Sequence, residues 1–351
     1  MKAIVYHGPR DFRVETVEEP KLASAADAIV RIQRTAICGS DLHTWHGPAL
    51  PVGGFSLGHE FLGVVEDAGP EVRRFRPGDR VFAACTTGCG SCAMCRRDLY
   101  SACEVTTKLA PLTNVFGNPL LPGGQAEAAR VPFADANLFR IPESISDEQA
   151  LFLTDILPTG WLGAELAQVG PGDCVVVFGC GPVGTFAQRA AEVRGASRIV
   201  AVDLDEGRLA RARERGYDTV QPEQEPLGER VRDMTQGLGA DAVIEAVGSP
   251  ALIRQAIEVA RPGTSIAAIG VVTEEDISLP FIRGLFAKNL SLRSGLVNPQ
   301  AFIPTLLPLI EAGRLDPSEI ITHRLPLEQG VRGYEIFDAH EEDVLKVVLH
   351  P

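Results

Sequence analysis

The 351-residue sequence predicts an α/β protein of two domains, one β-rich and one built on a parallel sheet wound on both faces by helices. Three observations lead there. Residues 1 to about 145 alternate apolar and polar positions in short runs such as AIVRIQRTAI (28–37) and FLGVVEDAG (61–69), broken by Gly and Pro, which is the pattern of antiparallel strands. From Asp173 to about Leu292, apolar β-branched runs alternate with helical stretches, the pattern of a doubly wound parallel sheet. The chain is also longer than one ordinary core absorbs.

The elements follow in order. Within the β-rich half, Cys89, Cys92, Cys95 and Cys103 form C-x2-C-x2-C-x7-C, whose short gaps turn successive thiolates toward one point while the long gap supplies a fourth corner. Four-thiolate zinc fits this spacing; a redox C-x-x-C pair or an iron–sulfur cluster is the alternative. A site closed by four sulfurs has no open position, so it clamps a loop and does no chemistry. Cys85 is a spare thiol nearby.

Ser146, followed three residues later by Gln149, is a capping-box signature that predicts a helix running toward Pro158. The strands of the parallel sheet are then expected at 174–179, 198–203, 241–248 and 264–270, with helices between them ended by Gly195, Gly216 and the Pro262-Gly263 pair. From about Ser294 the texture is mixed again, with a helix near 299–315 and a final apolar strand, VLKVVLH.

Composition narrows the function. Thirty-three basic against 46 acidic residues give a net charge of −13, which repels a polyanion, so nucleic acid is excluded as an expected partner. No apolar run suits a membrane span and the first residues, MKAIVYHGPRDFRVE, do not read as a signal peptide. A soluble cytoplasmic protein is expected, in a compartment where clustered thiols favour metal over disulfides.

Gly179, Gly181 and Gly184 form G-x-G-x-x-G directly after an apolar strand, with Pro182 and Val183 opening the helix that follows. Glycines there let a pyrophosphate approach the backbone at a helix N-terminus. Asp203, nineteen residues beyond Gly184, ends the next strand, where a carboxylate accepts from ribose hydroxyls and repels a 2′-phosphate. NAD is therefore expected over NADP. Arg208, five positions on, either shields a phosphate or flanks the adenine.

Cys38 in TAICGSDLH, His59 and Glu60 in LGHE, and Asp155 in LTDILPTGW are each ambiguous alone: a buried thiol, a satisfied imidazole, a helix-end charge. Together with the four-cysteine loop and GCGPVG, in this order and across essentially the whole chain, they resemble the zinc-dependent medium-chain alcohol dehydrogenases. That resemblance implies a GroES-like β-rich catalytic domain at 1–155 with a structural zinc lobe near 85–105, a Rossmann NAD-binding domain at 156–293, and a segment, 294–351, returning to the catalytic domain. It implies two zinc ions per chain, one in the lobe and one catalytic on Cys38, His59 and Asp155, with Glu60 as a neighbouring carboxylate.

Many members carry a second cysteine where this chain has Asp155, and DILPTGW is closest to the formaldehyde-dehydrogenase-like branch. Thiolate, carboxylate and imidazole sum to the same charge against Zn2+ as two thiolates and an imidazole. By resemblance Ser40 and His43 occupy the proton-relay positions, Thr159 flanks the nicotinamide, and Lys346 meets the pyrophosphate. The expected activity is reversible hydride transfer between a small-molecule alcohol and NAD. Formaldehyde dismutation, polyol or sugar oxidation, a zinc-free quinone reductase and a non-catalytic zinc- or redox-sensing protein are the alternatives. Trp45, His46, Trp161 and Leu296 are candidate pocket residues, and the apolar segment 290–297 is expected to pair copies into a homotetramer or dimer.

Overall fold

A computed structural model describes residues 1–48, 50–341 and 343–351. The chain divides into two compact units, one of Met1–Pro158 with Val297–Pro351 and one of Thr159–Leu296. No helix among the described residues is long and apolar enough to cross a membrane.

The first unit holds a mixed sheet ordered His323–Pro326, Val347–His350, Ala28–Ile37, Glu60–Ala68, Arg80–Ala83 and Leu138–Arg140, with Ala128–Val131 also paired to Ala28–Ile37. A three-stranded sheet, Asp11–Thr16, Lys2–Gly8 and Phe55–Ser56, accompanies it. The register of these strands builds the site. Val347 pairs with Ile37 and Ala36 pairs with Glu60, so residues distant in sequence converge where Ala28–Ile37 ends at Cys38. Aromatic rings fill one core: Trp45 packs 4.8 Å from Phe12 and 5.8 Å from Tyr334, centroid to centroid. Trp45 is thus a core residue and not the pocket wall expected above, because its ring is enclosed while its indole N–H is satisfied by Asp338 at 3.1 Å.

The capping box forms, with the Gln149 N–H donating to Ser146 Oγ and the Ser146 N–H to Gln149 Oε1. The helix it opens is shorter than expected. Asp147–Leu151 gives way to a tight turn, Phe152–Thr154; Asp155 leaves helical geometry, and a second helix, Ile156–Leu166, starts after it. Pro158 sits in that second helix's first turn, where its missing N–H goes unused, so the proline interrupts nothing.

In the second unit, six parallel strands lie in the order Asp218–Val220, Arg198–Val202, Cys174–Phe178, Ala240–Glu245, Ala260–Ala268 and Ser291–Ser294. Counted from Cys174–Phe178 this is 3-2-1-4-5-6, the doubly wound dinucleotide-binding order. Val175, Val176, Val177 and Phe178 are wholly buried, as a central strand covered on both faces requires. The strand expected over 290–297 is limited to Ser291–Ser294 and lies on the sheet edge.

Candidate active site

Cys38, His59, Glu60 and Asp155 come together in the first unit, their donor atoms all within 4.8 Å of one another. Each is set by a different element. Cys38 follows the strand Ala28–Ile37, and its N–H donates to Asp41 Oδ2 at 3.0 Å, which fixes the turn. Gly58 precedes His59 with a φ of +88°, and a Cβ there would collide with the Gln125 side chain, so only glycine turns the chain into Glu60–Ala68 at this point. Asp155 lies between the Phe152–Thr154 turn and the helix Ile156–Leu166.

The imidazole of His59 is held on both sides. Asp41 Oδ1 lies 3.3 Å from Nδ1, leaving Nε2 to face Asp155 Oδ2 at 3.1 Å and Ser40 Oγ at 3.3 Å. Asp155 Oδ2 is also 3.7 Å from Cys38 Sγ. Burial alone would lower the His59 pKa, yet Asp41, Cys38 and Asp155 outweigh it and hold the ring well above its ordinary value. Such a field attracts positive charge, and one thiol, one imidazole and a carboxylate are ordinary zinc donors.

A second sign of fit is Glu60, which is wholly buried: Oε1 accepts from Lys346 Nζ at 2.7 Å, while Oε2 has no partner. Burial raises the carboxyl against the lowering pull of Lys346. Residues with donor sets of this kind, an orphaned buried oxygen beside them, fit a zinc ion. Behind them, Asp41, Gln125 and Tyr334 form a buried chain: Tyr334 Oη donates to Gln125 Oε1 at 2.7 Å, and Gln125 Nε2 to Asp41 Oδ2 at 3.2 Å. Sequence reading missed this support. The one signal available was Asp41, the single carboxylate in CGSDLH, three residues after Cys38.

Lys346 requires a correction. It is not an exposed strand-edge lysine: it is fully buried and paired with Glu60, because an ammonium without water needs an anion and the Val347–Ile37 register brings one within reach. Ser40 Oγ stands 3.3 Å from His59 Nε2. His43, three residues further on the helix Asp41–His46, is exposed, and partial loss of solvation lowers its pKa.

Among the described residues the second donor group is Cys89, Cys92, Cys95 and Cys103. Backbone N–H groups point at its sulfurs: Cys92 to Cys89 Sγ and Cys95 to Cys92 Sγ, both 3.4 Å, and Cys89 to Cys103 Sγ at 3.2 Å. Burial opposes ionisation of Cys103, but hydrogen bonds from Thr106 and from the N–H groups of Cys89 and Val105 hold it down at about 6. Burial pushes Cys95 up. A thiol already ionised near neutrality is prepared for a metal.

In the second unit Gly179 has a φ of +92° and would drive a Cβ into Val247, while a Cβ on Gly184 would strike the Gly179 carbonyl. Gly181 caps the helix Pro182–Val193, whose first residues, Pro182 and Val183, are half-buried. At Gly179 and Gly184 only glycine leaves this cradle open, and it fits a dinucleotide pyrophosphate. Asp203 is fixed by the Cys180 N–H on Oδ2 at 2.6 Å and the Asp205 N–H on Oδ1 at 2.9 Å. Arg208, on the helix Glu206–Glu214, brings its guanidinium to 3.7 Å from where a Gly181 Cβ would stand. Thr159 is half-buried on Ile156–Leu166.

A GroES-like sheet with a Cys-His-carboxylate cluster, a four-cysteine lobe and a dinucleotide-binding unit define a zinc-binding dehydrogenase. Known proteins agree: the chain matches the alcohol dehydrogenase GroES-like domain over residues 24–143 and the zinc-binding dehydrogenase domain over 182–312. It is 35% identical to a zinc-type alcohol dehydrogenase-like protein of Bacillus subtilis (strain 168), with 100% of both chains covered. Its fold superposes on alcohol dehydrogenase TADH from Thermus sp. ATN1 with a TM-score of 0.92 at 41% identity, covering 100% of this chain and 99% of that one. A dehydrogenase of E. coli CFT073 complexed with NADH gives 0.86 at 27% identity, covering 100% and 99%. The chain belongs to the zinc-dependent alcohol dehydrogenase family.

Proposed function

We propose that this dehydrogenase oxidises an alcohol to its aldehyde or ketone, and the reverse, with NAD as hydride acceptor, through a catalytic zinc on Cys38, His59 and Asp155 and a structural zinc on Cys89, Cys92, Cys95 and Cys103. The observation that supports it most is the convergence of one thiol, one imidazole and one carboxylate within 4.8 Å, with Ser40 at hydrogen-bond distance from the imidazole. A zinc ion held there supplies Lewis-acid polarisation, which lowers the pKa of a substrate hydroxyl.

The protein's own groups do the rest. Ser40 Oγ, 3.3 Å from His59 Nε2, lies beside the donor set, where it receives the substrate proton. His43 is exposed and held neutral by its lowered pKa, so it can carry that proton toward water. Asp41 keeps His59 in the tautomer that presents Nε2. Lys346 neutralises Glu60 and keeps it beside the donors as a reserve ligand.

For the cofactor, Gly179, Gly181 and Gly184, with Pro182 and Val183, receive the pyrophosphate, and Thr159 lies toward the nicotinamide. Asp203 is read as the acceptor for the adenosine ribose, which favours NAD; Arg208, close to Gly181, sits on the phosphate side. Copies of the chain are read as assembling through the edge strand Ser291–Ser294 and the exposed apolar residues Phe281, Ile282 and Phe286, as a tetramer or dimer. The eight free cysteines suit a reducing, cytoplasmic setting.

A panel of primary, secondary and polyhydric alcohols, assayed with NAD and with NADP on wild type and Asp155→Ala, tests the reading. NAD-dependent turnover that disappears in D155A supports it; full turnover in D155A sinks the ligand assignment.

A further inference from the structure

Cys85 has no part in the donor set, yet it holds Asp155 from two directions. Its backbone N–H donates to the Thr154 carbonyl at 2.9 Å, and its thiol lies 3.5 Å from Asp155 Oδ1, within range for sulfur as donor. Its own carbonyl accepts from the Phe116 N–H at 3.2 Å, and the preceding Ala84 N–H donates to the Asn137 carbonyl at 3.0 Å, so the strap carrying the thiol is itself anchored. Cys85 is 2% exposed, which keeps water from competing for Oδ1. The other oxygen, Oδ2, faces His59 Nε2 at 3.1 Å and Cys38 Sγ at 3.7 Å.

A carboxylate differs from a thiolate in having two donor atoms. If Asp155 gave both to the metal, then with Cys38 and His59 four protein atoms would surround it, and a site of this type needs one position left for substrate. We propose that Cys85 is a positioning residue: its thiol engages Asp155 Oδ1, so that Asp155 meets the metal through Oδ2 alone and the fourth position stays open. This rests on the reading of Asp155 as a ligand, and the test separates the two.

The experiment replaces the catalytic metal with cobalt(II), leaving the four-cysteine lobe loaded with zinc, in wild type, Cys85→Ala, Cys85→Ser and Asp155→Ala. Coordination number is read from the visible absorption, intense for four-coordinate and weak for five-coordinate cobalt, and the number of thiolate ligands from the ultraviolet charge-transfer band. C85A is expected to keep its cobalt and its one-thiolate band, to lose visible intensity, and to fall about tenfold in kcat/KM, the lower end of what outer-shell partners of a metal ligand contribute. C85S, which keeps a donor, is expected to restore both.

A C85A spectrum identical to wild type overturns the proposal, and so does a C85A charge-transfer band that falls by one thiolate, which would make Cys85 itself a ligand. Five-coordinate cobalt in C85S overturns it too. If C85A does not fold, the near-isosteric, donor-free Cys85→Val carries the same expectations. Asp155→Ala is expected to lose the catalytic cobalt; if it keeps it, the ligand reading fails, whatever Cys85 does.

Discussion

Replacing Lys346 with methionine removes the cation from a pair that has no water around it. Lys346 Nζ and Glu60 Oε1 are 2.7 Å apart and both side chains are fully buried. At that separation and an effective dielectric of about 20, the attraction is about 6 kcal/mol. Methionine keeps most of the volume and the packing on the Phe152 ring, 5.7 Å from the ammonium, but leaves Glu60 with both oxygens unpaired, since Oε2 already has no partner. Breaking a buried pair by deleting one member costs about 3–5 kcal/mol. For a unit of this size that corresponds to a fall in Tm of about 6–20 °C. Thermal unfolding with both zinc sites loaded measures it, and the double variant K346M/E60Q, which removes the stranded charge, is expected to recover most of the loss. A K346M protein melting within about 2 °C of wild type would show that the ammonium does not compensate Glu60 and would refute the reasoning.

The remaining predictions concern the metals, the relay and the cofactor. Cys92→Ser should release about one zinc per chain and lower Tm by more than it lowers the kcat of the protein that stays folded, because the lobe clamps a loop and faces no substrate; metal analysis with calorimetry checks this. His43→Gln should lower kcat about tenfold. The His43 pKa is lowered, so the ring is neutral and competent above its own pKa and is lost as a proton acceptor when the pH falls through it; that acidic limb of the kcat profile should vanish in H43Q and the rate should be rescued by added imidazole. Asp203→Ala should raise the KM for NAD by about 10- to 100-fold, the effect of losing charge-assisted hydrogen bonds, while the KM for NADP falls; unchanged values for both would remove Asp203 from the ribose site.

Much of the architecture was legible because its signals are local. The run of buried β-branched residues before Gly179, the glycines whose missing Cβ atoms the turn requires, and the Ser146–Gln149 cap each depend on neighbours within a few positions. The four-cysteine spacing was likewise readable, since Cys89 to Cys103 lie on one loop. What escaped was set by register. Lys346 joins Glu60 only because Val347 pairs with Ile37, across more than 300 residues of chain, and nothing in VLKVVLH announces a buried ammonium. Trp45 read as a pocket residue because its burial depends on Phe12 and Tyr334, which come from opposite ends of the chain. Asp155 was placed by family pattern, and the reason it faces His59, a break between two helical segments, is invisible in a stretch whose apolar content favours one continuous helix.

Anomalous scattering at the zinc absorption edge, from crystals of the purified protein, tests the central claim most directly. Two peaks per chain are expected, one among the four lobe sulfurs and one within about 2.0–2.3 Å of Cys38 Sγ, His59 Nε2 and an Asp155 oxygen. A single peak at the lobe, in protein that still turns over alcohol with NAD, would contradict the account.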